Sequence, residues 1–304
     1  IRHFMREGHQ VVLVAPEKDD KQMRTTIPDG VRYIPVKMGR TSLNPIKDIS
    51  YFMQMLKIFR KERPDYIFNY TIKPNIYGSI AARICGCHST AMMAGLGYIF
   101  INDSLLLRFA RAVYRFGLSF TDHLIVLNSF IRDMVVQKRF CDPKKIVFLE
   151  GGEGIDIQKY TKYDNASSTI TFLFIGRILW DKGYDEFSKA ARKVKTLYPD
   201  TRFELLGSMD PSYPKSVPEE RLRQDEADGI LKSDIPGCRE AVDDGVNGYL
   251  VPAKDADALA EAMLRYIRLS EEEKQKQSDM SRAKAESIFD IRNVICKYKE
   301  IVGE

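Results

Sequence analysis

The sequence predicts an α/β protein of two domains, each with a parallel sheet packed by helices. Three observations carry this. The 304 residues are room for two ordinary domains of about 150 residues each. Strand-length apolar runs alternate with helix-length amphipathic ones, which is the grammar of parallel sheets with crossover helices. That grammar pauses near 155–168 and then starts again.

In the first run, residues 1–7 read as the tail of a helix stopped at Gly8, and Gln10–Ala15 as a buried strand closed by Pro16. Val31–Val36 is a second strand after the Pro28-Asp29-Gly30 turn. Ile49, Phe52, Met53, Leu56 and Phe59 recur at helical spacing and predict a helix over Ile46–Arg63, stopped by Pro64. Tyr66–Asn69, Ala91–Ala94, His123–Leu127 and Ile146–Leu149 are strands. Helices over Pro74–Cys85, Ser104–Ser119 and Ser129–Lys138 separate them. In the second run Thr169–Ile175, Arg202–Leu206 and Gly248–Val251 read as strands, the first of them buried. Helices are expected over Tyr184–Tyr198, Asp257–Arg268, Glu271–Ser287 and Ile291–Val302. The expected division is an N-terminal domain 1–160, a C-terminal domain 161–286, and a last helix, 287–304, returning to the first domain.

Composition narrows the function. With 44% hydrophobic and 29% charged residues the chain is neither disordered nor fibrous. Its longest apolar stretches, such as Val11–Ala15, are far short of the roughly 20 residues of a membrane span. Five scattered cysteines make no disulfide framework and point to a reducing, cytoplasmic compartment. Residues 1–160 carry 24 basic and 15 acidic side chains, a net of +9 within an overall +5. That half therefore faces either something anionic or only solvent. A nucleic-acid partner is disfavoured, because the basic residues are spread and no nucleic-acid motif is present. Cys85-Gly86-Cys87 with His88 lacks a second ligand pair, so no metal site is expected there.

Ligands of open α/β sheets bind beyond the carboxyl ends of the strands. There the strongest local signal is Phe174-Ile175-Gly176-Arg177-Ile178-Leu179-Trp180-Asp181-Lys182-Gly183. Gly176 permits a tight turn or a close ligand, and Arg177 and Lys182 flank a loop that opens a helix. A helix N-terminus with two cations suits a diphosphate, although the spacing alone also fits two solvated cations on an exposed loop.

These residues resemble the G-R-x(4)-K-G signature of family-4 retaining glycosyltransferases. Further stretches agree in order: Glu153-Gly154-Ile155-Asp156, the run Ile235-Pro236-Gly237-Cys238-Arg239-Glu240, and Asp244 through Pro252. Thr71-Ile72-Lys73-Pro74-Asn75-Ile76-Tyr77-Gly78 and Ala94-Gly95-Leu96-Gly97-Tyr98 resemble bacterial N-acetylgalactosaminyl- and galactosyltransferases that extend lipid-diphosphate-linked oligosaccharides in surface-glycan or N-glycan assembly. The resemblance implies a GT-B fold of two Rossmann-like, doubly wound parallel-sheet domains facing a cleft. It implies retaining transfer of a hexose or N-acetylhexosamine from a UDP-sugar to a polyprenyl-diphosphate-linked saccharide, with no cofactor and no metal. On it, Gly176, Arg177, Lys182, Gly237 and Glu240 lie on the donor side, with Arg177 and Lys182 stabilising the diphosphate. Glu240 fits equally an acid favoured at a helix start. Lys73, Asn75, Gly95 and Gly97 lie on the acceptor side, where Asn75 as a helix cap and the glycines as a turn are the plainer alternatives.

Two departures stand out. The family's first strand and its glycine-containing loop would precede Ile1. The family also carries two strands and an E-x(7)-E helix that have no counterpart between Gly207 and Ile235, so a further segment is expected at the joint near Leu231 and Lys232. Without it the donor site lacks both acidic residues, and the alternative is a non-catalytic nucleotide-sugar-binding protein.

In the expected helix 104–119, Arg108, Arg111 and Arg115 recur at spacings of three and four beside Leu105, Leu106, Leu107, Phe109, Val113, Tyr114 and Phe116. This is the pattern of an interfacial helix on anionic lipid, or of a helix packed on a sheet with solvated arginines. With the basic first half it predicts a peripheral protein at the inner face of the cytoplasmic membrane.

Overall fold

The computed structural model describes residues 1–16, 27–39, 45–95, 104–160, 169–209, 213, 215–230, 232–234 and 242–304. The chain divides into two compact units, one of residues 1–156 with 288–304, the other of 157–287.

The first unit opens with α1 (Arg2–Arg6), β1 (Val12–Pro16) and β2 (Arg32–Val36), the two strands pairing in parallel. Then come α2 (Pro45–Glu62), β3 (Tyr66–Tyr70), a π-helical turn Pro74–Gly78 running into α3 (Ser79–Cys85), and β4 (His88–Met93). The unit continues with α4 (Leu105–Ser119), β5 (His123–Val126), α5 (Ser129–Gln137) and β6 (Ile146–Phe148), and ends with α10 (Ile291–Val302). β3, β4, β5 and β6 form a parallel sheet in that order.

Period-two alternation in these central strands feeds a core on each face. Ala91, Met93, Leu124 and Val126 pack with Ile76, Tyr114, Leu118, Ile131 and Val135, under α4 and α5. Met92 and Ile125, between them in sequence, pack with Leu149, Val294 and Ile301, under α10. Helix ends follow local chemistry: Ser104 Oγ and Asn128 Oδ1 accept from the backbone of Leu107 and Ile131, and Gly86 closes α3 with φ +73°.

The Gly151–Gly154 turn has a structural reason. A Cβ on Gly151 would lie 2.0 Å from the carbonyl oxygen of Ile288, and one on Gly154 2.9 Å from Cα of Ile291. Only a backbone without side chains lets Ile155 donate to Phe289 O (2.7 Å) and accept from Ile291 N (2.8 Å), which holds the start of α10 on the first unit.

The second unit contains β7 (Thr171–Ile175), α6 (Tyr184–Leu197), β8 (Arg202–Leu206), α7 (Glu219–Ala227), β9 (Lys232–Asp234), α8 (Ala256–Ile267) and α9 (Glu271–Ile288). β7, β8 and β9 are parallel in that order, with Glu204 opposite Lys232. Phe172, Phe174, Phe203 and Leu205 meet Phe187, Val194, Leu222, Met263 and Leu264 in one core.

Two expectations fail, and one strand is new. β7 is not buried on both faces: Leu173 and Ile175 are exposed, because α6, α7 and α8 all contribute to the core on the Phe172–Phe174 side. Gly248–Val251 is no strand, apart from a single bridge between Asp244 and Gly248. Its backbone bonds are satisfied locally, Leu250 N donating to Asp244 Oδ1 (2.9 Å) and Gly245 N to Gly248 O (2.8 Å), and Leu250 is exposed. β9 was not expected, since Lys232-Ser233-Asp234 has no strand pattern of its own and is placed by the edge of β8.

Candidate active site

In the second unit β7 runs straight into the predicted loop. Gly176 has φ +157°, and its N–H donates to Leu206 O (3.0 Å), so the strand ladder continues to the turn. Ile178 and Leu179 are then driven inward and fully buried, which leaves Arg177 and Trp180–Lys182 at the surface. Trp180–Lys182 forms a 3₁₀ turn, and Gly183, at φ +89°, starts α6 as its N-cap. The first turn of α6 carries Asp185 and Glu186, which suits the positive end of the helix.

Residues 208, 213 and 215–217 support this loop from beneath. Ile178 N donates to Ser208 O (3.1 Å), Trp180 N to Lys215 O (3.0 Å), and Val217 N to Ile178 O (3.3 Å). Arg177 lays its guanidinium over the ring of Tyr213 at 5.1 Å, and Lys215 reaches Asp181 at 3.5 Å. Arg177 and Lys182 thus occupy the two ends of one braced, exposed turn at the mouth of a helix. Such a turn can hold a diphosphate through backbone N–H groups and two cations.

Sequence reasoning missed Gly207. A Cβ there would lie 1.8 Å from the carbonyl oxygen of Gly176, so the close approach of β8's end to the turn requires glycine. Tyr213 and Lys215 were missed as well, because nothing local marks them. Gly237 and Glu240 lie outside the described residues, as does Gly97.

In the first unit Lys73 and Asn75 lie beyond the carboxyl end of β3, and Gly95 beyond that of β4. Thr71 takes the left-handed conformation, φ +74°, uncommon for a β-branched residue. Lys73 follows it, with Nζ 2.5 Å from Asp48 Oδ1, while Tyr77 donates its hydroxyl to Asp48 Oδ2 (3.1 Å). Burial, then the Asp48 charge, pushes the Tyr77 hydroxyl up to about 12. Asp48, on α2, is therefore part of this cluster and was not anticipated.

Asn75 is a correction. It is 1% exposed and makes three hydrogen bonds: Nδ2 donates to Met92 O (2.8 Å) and the Tyr114 hydroxyl (2.9 Å), and Oδ1 accepts from Met92 N (3.3 Å). A buried amide so occupied ties the π-helical turn to β4 and is not presented to an acceptor. Gly95 is exposed, and no heavy atom of the described residues lies within 4 Å of where its Cβ would stand.

On α4, Arg108 and Arg115 are exposed and Arg111 is half-buried. The apolar residues divide into two sets. Leu107, Tyr114 and Leu118 are buried, whereas Leu105 (84%), Phe109 (67%) and Phe116 (60%) face solvent. With exposed Ala112 they make a stripe at spacings of three and four beside Arg108 and Arg115. No helix among the described residues is long and apolar enough to cross a membrane. None of their His, Cys, Asp and Glu side chains gather in a group of three or more fit for a metal ion.

The model of Glycosyltransferase Family 4 matches residues 1–153, and that of Glycosyl transferases group 1 matches residues 230–285. The chain belongs to glycosyltransferase family 4. This family-4 glycosyltransferase is 23% identical to N,N'-diacetylbacillosaminyl-diphospho-undecaprenol alpha-1,3-N-acetylgalactosaminyltransferase of Campylobacter jejuni, over 83% of its own length and 80% of that enzyme's. It is 25% identical to the Escherichia coli UDP-Gal:alpha-D-GlcNAc-diphosphoundecaprenol alpha-1,3-galactosyltransferase, over 62% of this chain and 52% of that one. Among solved structures, Anabaena HepE in complex with UDP superimposes with a TM-score of 0.75 at 12% identity, covering 96% of this chain and 91% of that one. Sucrose-phosphate synthase from Thermosynechococcus elongatus gives 0.72 at 13% identity, covering 98% and 90%. The fold is GT-B.

The Campylobacter alignment also holds gaps on this chain's side. Its 313 positions exceed this chain's 304 residues, of which 83%, about 252, take part. About 60 positions are therefore filled by the relative alone.

Proposed function

We propose that this glycosyltransferase moves a hexose or N-acetylhexosamine from a UDP-sugar to a polyprenyl-diphosphate-linked saccharide in bacterial glycan assembly. The observation that carries the reading is the braced turn Gly176–Gly183, with exposed Arg177 and Lys182 at the N-terminus of α6. The family membership and the names of both curated relatives support it. A binding-only protein is not favoured, since both relatives are named as transferases.

The chemistry follows from that turn. As the bond between the sugar C1 and the diphosphate oxygen breaks, negative charge grows on the leaving UDP. Arg177, Lys182 and the N-terminal N–H groups of α6 stabilise it, the fixed-dipole form of transition-state stabilisation. Two cations already in place take the part a divalent ion would otherwise play, so transfer proceeds without metal. The acceptor hydroxyl attacks C1 from the face the diphosphate leaves, its proton passing to the departing phosphate oxygen, and the anomeric configuration is retained. On the acceptor side Lys73, held by Asp48, and Gly95 border the incoming saccharide diphosphate.

We place the enzyme at the cytoplasmic face of the membrane, with α4 toward anionic lipid through Arg108, Arg111 and Arg115.

The test is a transferase assay with UDP-N-acetylgalactosamine or UDP-galactose and a short-chain polyprenyl diphosphate-linked N-acetylhexosamine, in the presence of a chelator. Product with retained configuration is expected, and Arg177→Ala or Lys182→Ala should weaken UDP binding by roughly 1.5–3 kcal/mol. Unchanged UDP affinity in both variants overturns the donor-site assignment.

A further inference from the structure

Asp225 lies on α7, outside the turn itself, and its side chain is fully buried. Four donors converge on it. The Tyr184 hydroxyl donates to Oδ2 at 2.7 Å, Ser188 Oγ to Oδ2 at 2.8 Å, Arg221 Nε to Oδ2 at 3.1 Å, and Arg192 to Oδ1. Arg192 also reaches Asp228 Oδ2 (2.8 Å), and Arg221 Nη2 reaches Ser188 Oγ (3.3 Å). A carboxylate in the interior is costly unless it is paired and hydrogen-bonded, and this one is saturated. Burial alone would push its carboxyl up, yet the bonds from Tyr184, Ser188, Arg221 and Arg192 hold it below the usual carboxylate range.

The donors are not equivalent. Ser188 and Arg192 sit one and two turns into α6. Tyr184 is its first residue, directly after Lys182-Gly183. The Tyr184 ring in turn meets Trp180 edge-on, centroids 5.7 Å apart at 80°, and Trp180 opens the 3₁₀ turn that ends at Lys182. One arm of the network therefore bolts helix to helix, and the other reaches the loop.

We propose that Asp225 is a positioning residue for the diphosphate turn, acting through the Tyr184 hydroxyl and the Trp180 ring to fix Lys182. The proposal rests on the reading of that turn as the donor diphosphate site. Losing the Tyr184 bond frees the ring and lets the Trp180–Lys182 turn shift. Losing the Ser188 bond loosens the helix pair and leaves the turn in place.

Trp180 is the sole tryptophan, so selectively excited fluorescence reports this turn alone. The experiment compares full-length Tyr184→Phe, which keeps the ring, with Ser188→Ala. Each is followed by acrylamide quenching of Trp180 without ligand, by UDP titration and by thermal unfolding. Tyr184→Phe should change the quenching constant and weaken UDP binding about fivefold or more, the loss expected for one bond to a charged acceptor. Ser188→Ala should lower Tm while keeping quenching and UDP affinity within twofold of wild type. Tyr184→Phe with unchanged quenching, or two variants whose UDP affinity falls alike, overturns the proposal. A wild-type protein that binds no UDP refutes the donor reading instead, and ligand-free quenching then still decides whether Asp225 and Tyr184 position the turn.

Discussion

Replacing Gly207 by alanine should open the Gly176–Gly183 turn from below. The added Cβ would stand 1.8 Å from the Gly176 carbonyl oxygen, and contacts under 3.0 Å are not tolerated, so one backbone must retreat by about 1.2 Å. Neither neighbour is a flexible side-chain tip. The Gly176 N to Leu206 O bond is 3.0 Å long and the Ile178 N to Ser208 O bond 3.1 Å, and a displacement of that size breaks both. Two lost backbone bonds at about 1 kcal/mol each, with about 1–3 kcal/mol of overpacking strain, give roughly 3–5 kcal/mol. For the unit of residues 157–287 that corresponds to a Tm about 10 °C lower or more. Differential scanning calorimetry reads the stability and UDP titration the site. Because the displaced carbonyl begins the turn that presents Arg177, UDP affinity should fall with Tm. A variant within about 1 °C of wild type that binds UDP normally would refute the close approach and the support it gives the loop.

Two further outcomes follow from the first unit. Asn75→Ala strands the Met92 N–H and carbonyl and the Tyr114 hydroxyl in the interior, at a cost of about 2–4 kcal/mol. Urea unfolding should show that loss, and a normal urea midpoint with a selective rise in acceptor KM would restore Asn75 to the acceptor side. Phe109→Asp with Phe116→Asp, both on the exposed stripe of α4, should abolish co-sedimentation with vesicles containing anionic phospholipid and leave Tm nearly unchanged. Vesicle binding that survives both changes and disappears only with salt would assign the contact to the arginines alone.

How much of this was legible in sequence depends on how local the causes are. The Gly176–Gly183 turn is written in consecutive residues: a strand, a glycine, two cations and a helix start, so pattern alone locates it. What braces it comes from far along the chain. Asp225 meets Tyr184 across 41 residues, and no periodicity links the two. Asn75 looks like a helix cap beside a strand end, and only Tyr114, 39 residues later, makes it a core amide. α4 was read as one apolar face, but it carries two. Leu107, Tyr114 and Leu118 face the core, and Leu105, Phe109 and Phe116 do not, a division that depends on where Gly117 lets the helix touch Ile76. Thr171–Ile175 shows the opposite failure. Five consecutive residues, four of them apolar, read as a strand covered on both faces, which is right for a doubly wound sheet. Here Leu173 and Ile175 remain exposed, in the same domain where 36 residues separate Gly207 from the Asp244–Pro252 run. The strand composition specifies two packed faces, and among the described residues helices cover only the Phe172–Phe174 face.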